Sequence, residues 1–275
     1  MSQQHALPNI DIEHFKIRPK QGCALNKIPT RMGKDSEKQL FKSSIVVLQT
    51  ELKAHLEKLY ARAEQAVLIV LQAMDAAGKD STIRRCFGPL NPQRCAIARF
   101  EAPNNIEKRH DFLWREHQHA PKLGTLTVFN RSHYEAVLIE RVKKLAPGKR
   151  IEQRYHSIND FERMLTQEGT TVLKFYLHVS KDYQRARLLR RLRRADKRWK
   201  FDESDVRERA FWEDYIHAYE QTFYRCSTDY APWYIIPAER RWYRDMVITQ
   251  ILINTLRAFQ LTFPQPNIPD DITIN

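Results

Sequence analysis

The segment Ala73-Met74-Asp75-Ala76-Ala77-Gly78-Lys79 has the residue types that hold a phosphate. Small side chains let successive backbone amides curl round an anion, and a helix that follows aims its positive end at the same oxygens. Lys79 adds a mobile point charge for the outer phosphates. The chain has three Gly-Lys pairs, Gly33-Lys34, Gly78-Lys79 and Gly148-Lys149. Only the middle one follows a continuous apolar run, Ala66 to Leu71, the strand–loop–helix context of a P-loop. The match to G-x-x-x-x-G-K-[ST] is imperfect. Ala73 stands in place of the first glycine and Asp80 in place of the Ser or Thr, with Ser81 and Thr82 just beyond.

An aspartate inside a phosphate loop is electrostatically unfavourable unless a cation accompanies it. Asp75 is therefore read as a metal ligand for Mg2+, with Mn2+ as a substitute, or as a group that positions the acceptor. The alternative is a helix cap or a bond to a neighbouring amide. A second polar cluster, Asn130-Arg131-Ser132-His133-Tyr134-Glu135, follows the apolar run Thr125 to Phe129. It lies at the carboxyl end of a parallel strand, where open α/β sheets bind ligands. Arg131 is suited to neutralising phosphate charge, and Asn130 to bonding a metal-bound water. Ser132 and Glu135 also fit a capping box for the next helix.

From Arg185 to Lys200 nine of sixteen residues are Arg or Lys and only Asp196 is acidic. On a helix over Tyr183 to Ala195, Leu188, Leu189 and Leu192 form a packing stripe beside a cationic face of Arg187, Arg190, Arg191 and Arg194. Such a face repels itself unless an anion lies against it, as in a lid that grips phosphates.

The elements that must position these groups alternate between strand and helix. Apolar or β-branched runs at Ala66 to Leu71, Cys95 to Phe100, Thr125 to Phe129, Thr171 to Val179 and Trp233 to Ile236 predict a mainly parallel sheet. Helical spacing is read at Ile45 to Ala63, His110 to His117, Ser132 to Leu145, Asp160 to Gln167, Tyr183 to Ala195, Asp205 to Tyr224 and Glu239 to Phe259. Residues 1–44, with Pro8, Pro19 and Pro29, read as an extended N-terminal arm. Residues 45–275 read as one P-loop domain with a basic lid at about 183–205.

The formal charge of +13, from 46 basic and 33 acidic residues, calls for an anionic partner. Cys23, Cys86, Cys95 and Cys226 show no zinc or disulfide spacing, and the N-terminus has no apolar signal segment, so a cytoplasmic location is expected. The histidines show no ligand spacing and are read as structural. No nucleic-acid recognition motif and no membrane span is present in the pattern.

Four segments in this order, Gln72 to Asp80, Phe129 to Glu135, Lys197 to Phe201 and Ala231 to Ala238, resemble the second family of polyphosphate kinases, over roughly Lys38 to Leu256. The resemblance implies a three-layer α/β/α P-loop kinase-like fold with a helical lid. It also implies Mg2+-dependent transfer of a terminal phosphoryl group between inorganic polyphosphate and AMP or ADP, with guanine nucleotides as further candidates, in a homodimer or homotetramer.

By position, Asp75, Lys79 and Arg131 are the implied catalytic residues. Ala76, Ala77, Gly78, Asp80, Ser81, Thr82, Asn130, Arg190, Arg191, Arg194, Lys197 and Arg198 are the implied phosphate- or nucleotide-binding set. Many relatives carry Asp where this chain has Asn130, and the Ala73 and Asn130 forms point to the subgroup that accepts both mono- and diphosphates. An ATP-using nucleoside monophosphate kinase and a basic nucleic-acid-binding protein are the rival expectations.

Overall fold

The computed structural model describes residues 7–8, 10–199 and 202–266. Its centre is β2, Ala66–Ala73, every residue of which is buried. A strand covered on both faces needs apolar side chains at successive positions, which explains the unbroken Ala-Val-Leu-Ile-Val-Leu run. β2 lies between β4 (Leu126–Asn130) and β5 (Thr170–His178), parallel to both. β3 (Cys95–Arg99) flanks β4, and β6 (Trp233–Pro237) flanks β5. The expected five parallel strands are therefore present.

A sixth, β1 (Lys16–Ile17), pairs antiparallel with β6 and gives the order β1-β6-β5-β2-β4-β3. Two residues are too few to show an alternation in the sequence. β1 is held by tertiary contacts: Ser227 Oγ donates to the Ile17 carbonyl at 2.6 Å, and Phe15, Ile17 and Leu25 are buried nearby.

Helices cover the sheet in the three-layer arrangement. α1 (Lys38–Arg62) buries Phe41, Leu48, Leu52, Leu56 and Leu59, a three-and-four spacing that makes one stripe. Each fully buried leucine contributes on the order of 1.5–3 kcal/mol. α1 packs along α10 (Arg241–Ala258), while α5 (Gly148–Gln167) packs on β5 and on α9 (Trp212–Cys226). The helix after the first loop starts as α2 (Lys79–Thr82) and continues through a π turn at Ile83–Phe87.

Some boundaries differ from the periodicity. α5 starts at Gly148 instead of Asp160, because Pro147 serves as its N-cap residue and the Pro-Gly pair opens a helix there. The expected helix over Ser132 to Leu145 is split into a 3-10 turn at His133–Ala136 and α4 at Ile139–Val142. That over His110 to His117 shortens to α3, Trp114–Gln118. The basic segment forms α6 (Lys181–Arg193) and α7 (Ala195–Arg198), followed by α8 (Glu203–Glu208). A 3-10 turn at Arg209–Phe211 separates α8 from α9. Lys200 and Phe201 lie outside the described residues.

Candidate functional site

β2 sends the chain first toward β4 and later, through β5, to the opposite side of the sheet. This switch opens a crevice beyond the carboxyl ends of β2, β4 and β5. The segment Ala73 to Lys79 occupies it. Ala76 and Gly78 have positive φ, 60° and 114°, which turns the loop tightly. Among the described residues the backbone amides of Ala76, Gly78 and Lys79 meet no acceptor. They are the donors that an anion would take.

Lys79 Nζ donates to the Ala73 carbonyl at 3.0 Å, so the side chain arches back across its own loop. Burial pushes its pKa below the ordinary lysine range, against the opposing pull of Asp75. Ser81 and Thr82 both donate from their hydroxyls to the Gly78 carbonyl, at 2.9 and 3.1 Å. Asp80 accepts from Asn130 Nδ2 at 3.0 Å, which ties α2 to the end of β4. Asn130 thus stands against Asp80, a bond not anticipated from its place in the sequence.

Arg131 has φ of 64° and its amide donates to the Leu71 carbonyl at 3.2 Å. This places its guanidinium 3.6 Å from the Asp75 carboxylate. Behind it, Ser132 Oγ accepts from Gln72 Nε2 at 3.1 Å and from the Tyr134 amide at 3.2 Å. Ser132 caps the short turn there as expected. Tyr134 Oη and His133 Nε2 both reach Glu162 Oε1, at 2.7 and 3.2 Å. Glu162 also receives Lys174 Nζ at 2.5 Å, and Lys174 donates further to Tyr134 Oη and the Cys226 carbonyl. All four side chains are buried. Burial alone would raise the Glu162 carboxyl, yet Lys174 and His133 hold it below the usual range.

Two residues that the sequence did not single out reach the loop from far away in the chain. Gln184, buried on α6, donates to the Asp75 carbonyl at 3.0 Å and accepts from Arg209 at 2.7 Å. Its only signal was polarity at a position one turn before Leu188 on the packing stripe. Arg244, 1% exposed, lies beneath the loop with Nη1 3.5 Å from the Ala77 carbonyl and Nη2 3.3 Å from Ser81 Oγ. Asp245 accepts from Arg244 Nε at 2.9 Å and also pairs with Arg85.

The arginines of the basic segment divide. Arg191 pairs with Asp205 at 2.9 Å, and burial and the nearby Asp75 raise the Asp205 carboxyl while Arg191 and Arg131 lower it. Electrostatically, α8 therefore belongs to the loop's surroundings. Arg194 turns to Asp196 at 2.9 and 2.7 Å, away from that role. Arg190 and Arg198 are exposed. The side chain of Lys197 lies outside the described residues. The cationic face is thus partly neutralised from within the chain, because Asp205 lies beyond the stretch in which Asp196 is the lone acid.

The donors present fit a hard divalent cation. The Asp75 side chain is 32% exposed and its partner Arg131 is at a loose 3.6 Å. Mg2+ typically takes one or two carboxylates and completes its shell with water and substrate phosphates. Among the described residues no cluster of three or more His, Cys, Asp or Glu side chains could hold a metal. The protein's share would therefore be one or two oxygens. No helix among the described residues is long and apolar enough to cross a membrane.

Residues 35–264 match the family model described as polyphosphate kinase 2. The AMP/ADP-polyphosphate phosphotransferase of Meiothermus ruber is 49% identical over 83% of this chain and 86% of its own length. The ADP-polyphosphate phosphotransferase of Rhodopseudomonas palustris is 37% identical over 93% of each chain. The crystal structure of polyphosphate kinase 2 from Arthrobacter aurescens superposes with a TM-score of 0.88 at 38% identity and covers 92% of each chain.

Proposed function

The chain belongs to the polyphosphate kinase 2 family, and from that premise we propose that it moves the terminal phosphoryl group of inorganic polyphosphate onto AMP and ADP. The loop from Ala73 to Lys79 carries this reading, with Asp75 set against Arg131 at the carboxyl end of the central strand. Adenine nucleotides are the favoured acceptors, and guanine nucleotides come second.

In this mechanism the chain does no covalent chemistry. The amides of Ala76, Gly78 and Lys79 bind the reacting phosphates, with Ala77, Asp80, Ser81 and Thr82 shaping the turn that presents them. Lys79 leaves the Ala73 carbonyl for the transferred group, and Arg131 meets the charge that develops on its equatorial oxygens. Asp75 positions the acceptor end and would hold Mg2+, or Mn2+ in its place. When bound, the cation would supply charge neutralisation at the reacting phosphates. Asn130 keeps Asp80 turned toward β4. Arg190, Arg191, Lys197 and Arg198 form the lid that excludes water and adds positive charge, Arg194 braces it through Asp196, and Gln184 keeps the root of that lid against the loop. Positioning and electrostatics account for the catalysis.

Reaction in the cytoplasm and assembly as a homodimer or homotetramer complete the reading. Incubation with ADP and Mg2+, with either polyphosphate or a nucleoside triphosphate as donor, tests it. Turnover with polyphosphate is expected. Turnover with the triphosphate alone would favour an ordinary nucleoside monophosphate kinase, and salt-sensitive RNA binding without turnover would favour a nucleic-acid-binding protein.

A further inference from the structure

Behind the Arg131 turn, two buried side chains end in atoms that have no hydrogen-bond partner among the described residues. They are Oε2 of Glu116 on α3 and Nδ1 of His133 in the turn after β4. Glu116 is 0% and His133 1% exposed. The two belong to one cluster. His117 of α3 and His133 both pack on Phe161, with ring centroids 5.7 and 5.5 Å away. Burial raises the Glu116 carboxyl above the ordinary carboxylate range, against the pull of His133 and Arg115.

The hydrogen bonds already made decide what the two free atoms need. Glu162 Oε1 accepts from Tyr134 Oη and faces His133 Nε2, and Oε2 accepts from Lys174. Against its burial, Lys174 and His133 keep the Glu162 carboxyl ionised, so it only accepts, and His133 Nε2 must carry a hydrogen. Nδ1 is then either a bare acceptor or the second donor of an imidazolium. Glu116 Oε1 accepts from Arg115 Nε at 3.1 Å, which leaves Oε2 as a bare acceptor or as the donor of a protonated carboxyl. Two bare acceptors in the interior would both stay unsatisfied, whereas one proton between them satisfies both.

α3 sits where this proton matters. Arg115 Nη1 donates to the Glu101 carbonyl at 2.8 Å, just beyond the end of β3, and its guanidinium lies over the Phe100 ring. The Phe100 amide donates to the Asn130 carbonyl at 3.1 Å, which joins the ends of β3 and β4. The helix thus holds one strand end through Arg115, and through Glu116 it addresses the other, two residues after Arg131. Arg131 has a left-handed backbone at φ 64°, a conformation that persists only where its surroundings enforce it.

Resting on the reading that Arg131 meets the transferred phosphoryl group, we propose that Glu116 and His133 share one buried proton, directly or through a single enclosed water, and are positioning residues for Arg131. The imidazole is then fixed from both sides, by α5 through Glu162 and by α3 through Glu116, and the turn that begins at Arg131 is fixed with it.

Glu116→Gln and Glu116→Leu separate this bond from simple packing. A glutamine amide donates to Nδ1 while its oxygen accepts from Arg115, so Glu116→Gln should keep kcat near the wild-type value. Glu116→Leu should lower kcat about 10–100-fold, the cost of a misplaced group at a reacting centre. The KM for polyphosphate and for ADP should hardly change, because Arg131 acts on charge that develops in the transition state. In an Arg131→Lys background the same leucine substitution should cost far less, since the guanidinium fork it positions is gone. An equal loss in both backgrounds, or a leucine variant as active as the wild type, would overturn the proposal.

Nuclear magnetic resonance of protein with isotope-labelled histidine reads the pair without turnover. The wild type should show one exchange-protected low-field proton that is missing from Glu116→Gln, while the Nε2 proton of His133 persists in both. Its absence from the wild type overturns the pair whatever the variants do. Its presence in a wild type that does not turn over polyphosphate supports the shared proton and overturns only the phosphotransfer reading.

Discussion

The guanidinium of Arg131 stands 3.6 Å from the carboxylate of Asp75, joining the end of β4 to the loop that leaves β2. The arginine reaches that place through a left-handed backbone, at φ 64°. The opposed charges limit each other, so removing one should reveal the other. Asp75→Asn should lower kcat about 10²–10³-fold, the usual effect of one lost electrostatic contact at a reacting centre. The KM for polyphosphate should stay level or fall, since a negative charge has left a phosphate site. Steady-state kinetics with each substrate varied in turn check both parts.

Gly78 is required for two reasons that act together. Its φ of 114° is one that side chains rarely adopt, and a Cβ there would lie 2.6 Å from Nη1 of Arg244. Arg244 is buried and pinned by Asp245. Gly78→Ala should therefore cost about 1–3 kcal/mol in a denaturant titration and reduce activity by more than the loss of folded protein explains.

Burial lowers the pKa of Lys79 in the free enzyme, so its proton should leave below the pH of about 10.4 at which an ordinary lysine titrates. kcat/KM should then fall as the pH rises through that depressed value. Bound phosphates favour the charged amine, so the corresponding fall in kcat should come at higher pH. Lys79→Arg should remove this alkaline limb, because a guanidinium keeps its proton. pH–rate profiles of the two proteins make the comparison.

Lys174 and Glu162 form a fully buried ion pair behind the Arg131 segment. Breaking such a pair from one side leaves an uncompensated charge, so Lys174→Met should destabilise the fold by about 3–5 kcal/mol. Adding Glu162→Gln should recover part of that loss. Glu162 has a depressed folded-state pKa. Its contribution is therefore present above about pH 4.3 and is lost as the pH falls through the lower folded value. Denaturant midpoints measured across the acid range should show a shallower decline in Glu162→Gln than in the wild type.

Elements that carry their own physical signature were legible before any coordinates. β2 announced itself because burial on both faces demands consecutive apolar residues. The strand–loop–helix around Ala73 to Lys79 did so because small residues and a Gly-Lys pair follow directly on the apolar run. Arg131 was visible as a cation at the end of a strand. Gln184 and Arg244 were not, since each acts on a loop more than a hundred residues away and only the folded chain brings them there. α5 was foreshortened because Pro147-Gly148 reads equally as a turn or as a helix start. The pairing of Arg191 with Asp205 escaped for a similar reason, as the break after α7 returns an acid that the basic run itself lacks.

The most direct test of the phosphotransfer mechanism is ATP formation from ADP, or from AMP through ADP, with polyphosphate and Mg2+, measured for the wild type and for Lys79→Ala. The wild type should make ATP and the variant should lose that activity while keeping its circular dichroism spectrum and melting temperature. A Lys79→Ala protein that forms ATP at the wild-type rate would contradict the assignment of this loop as the reacting site.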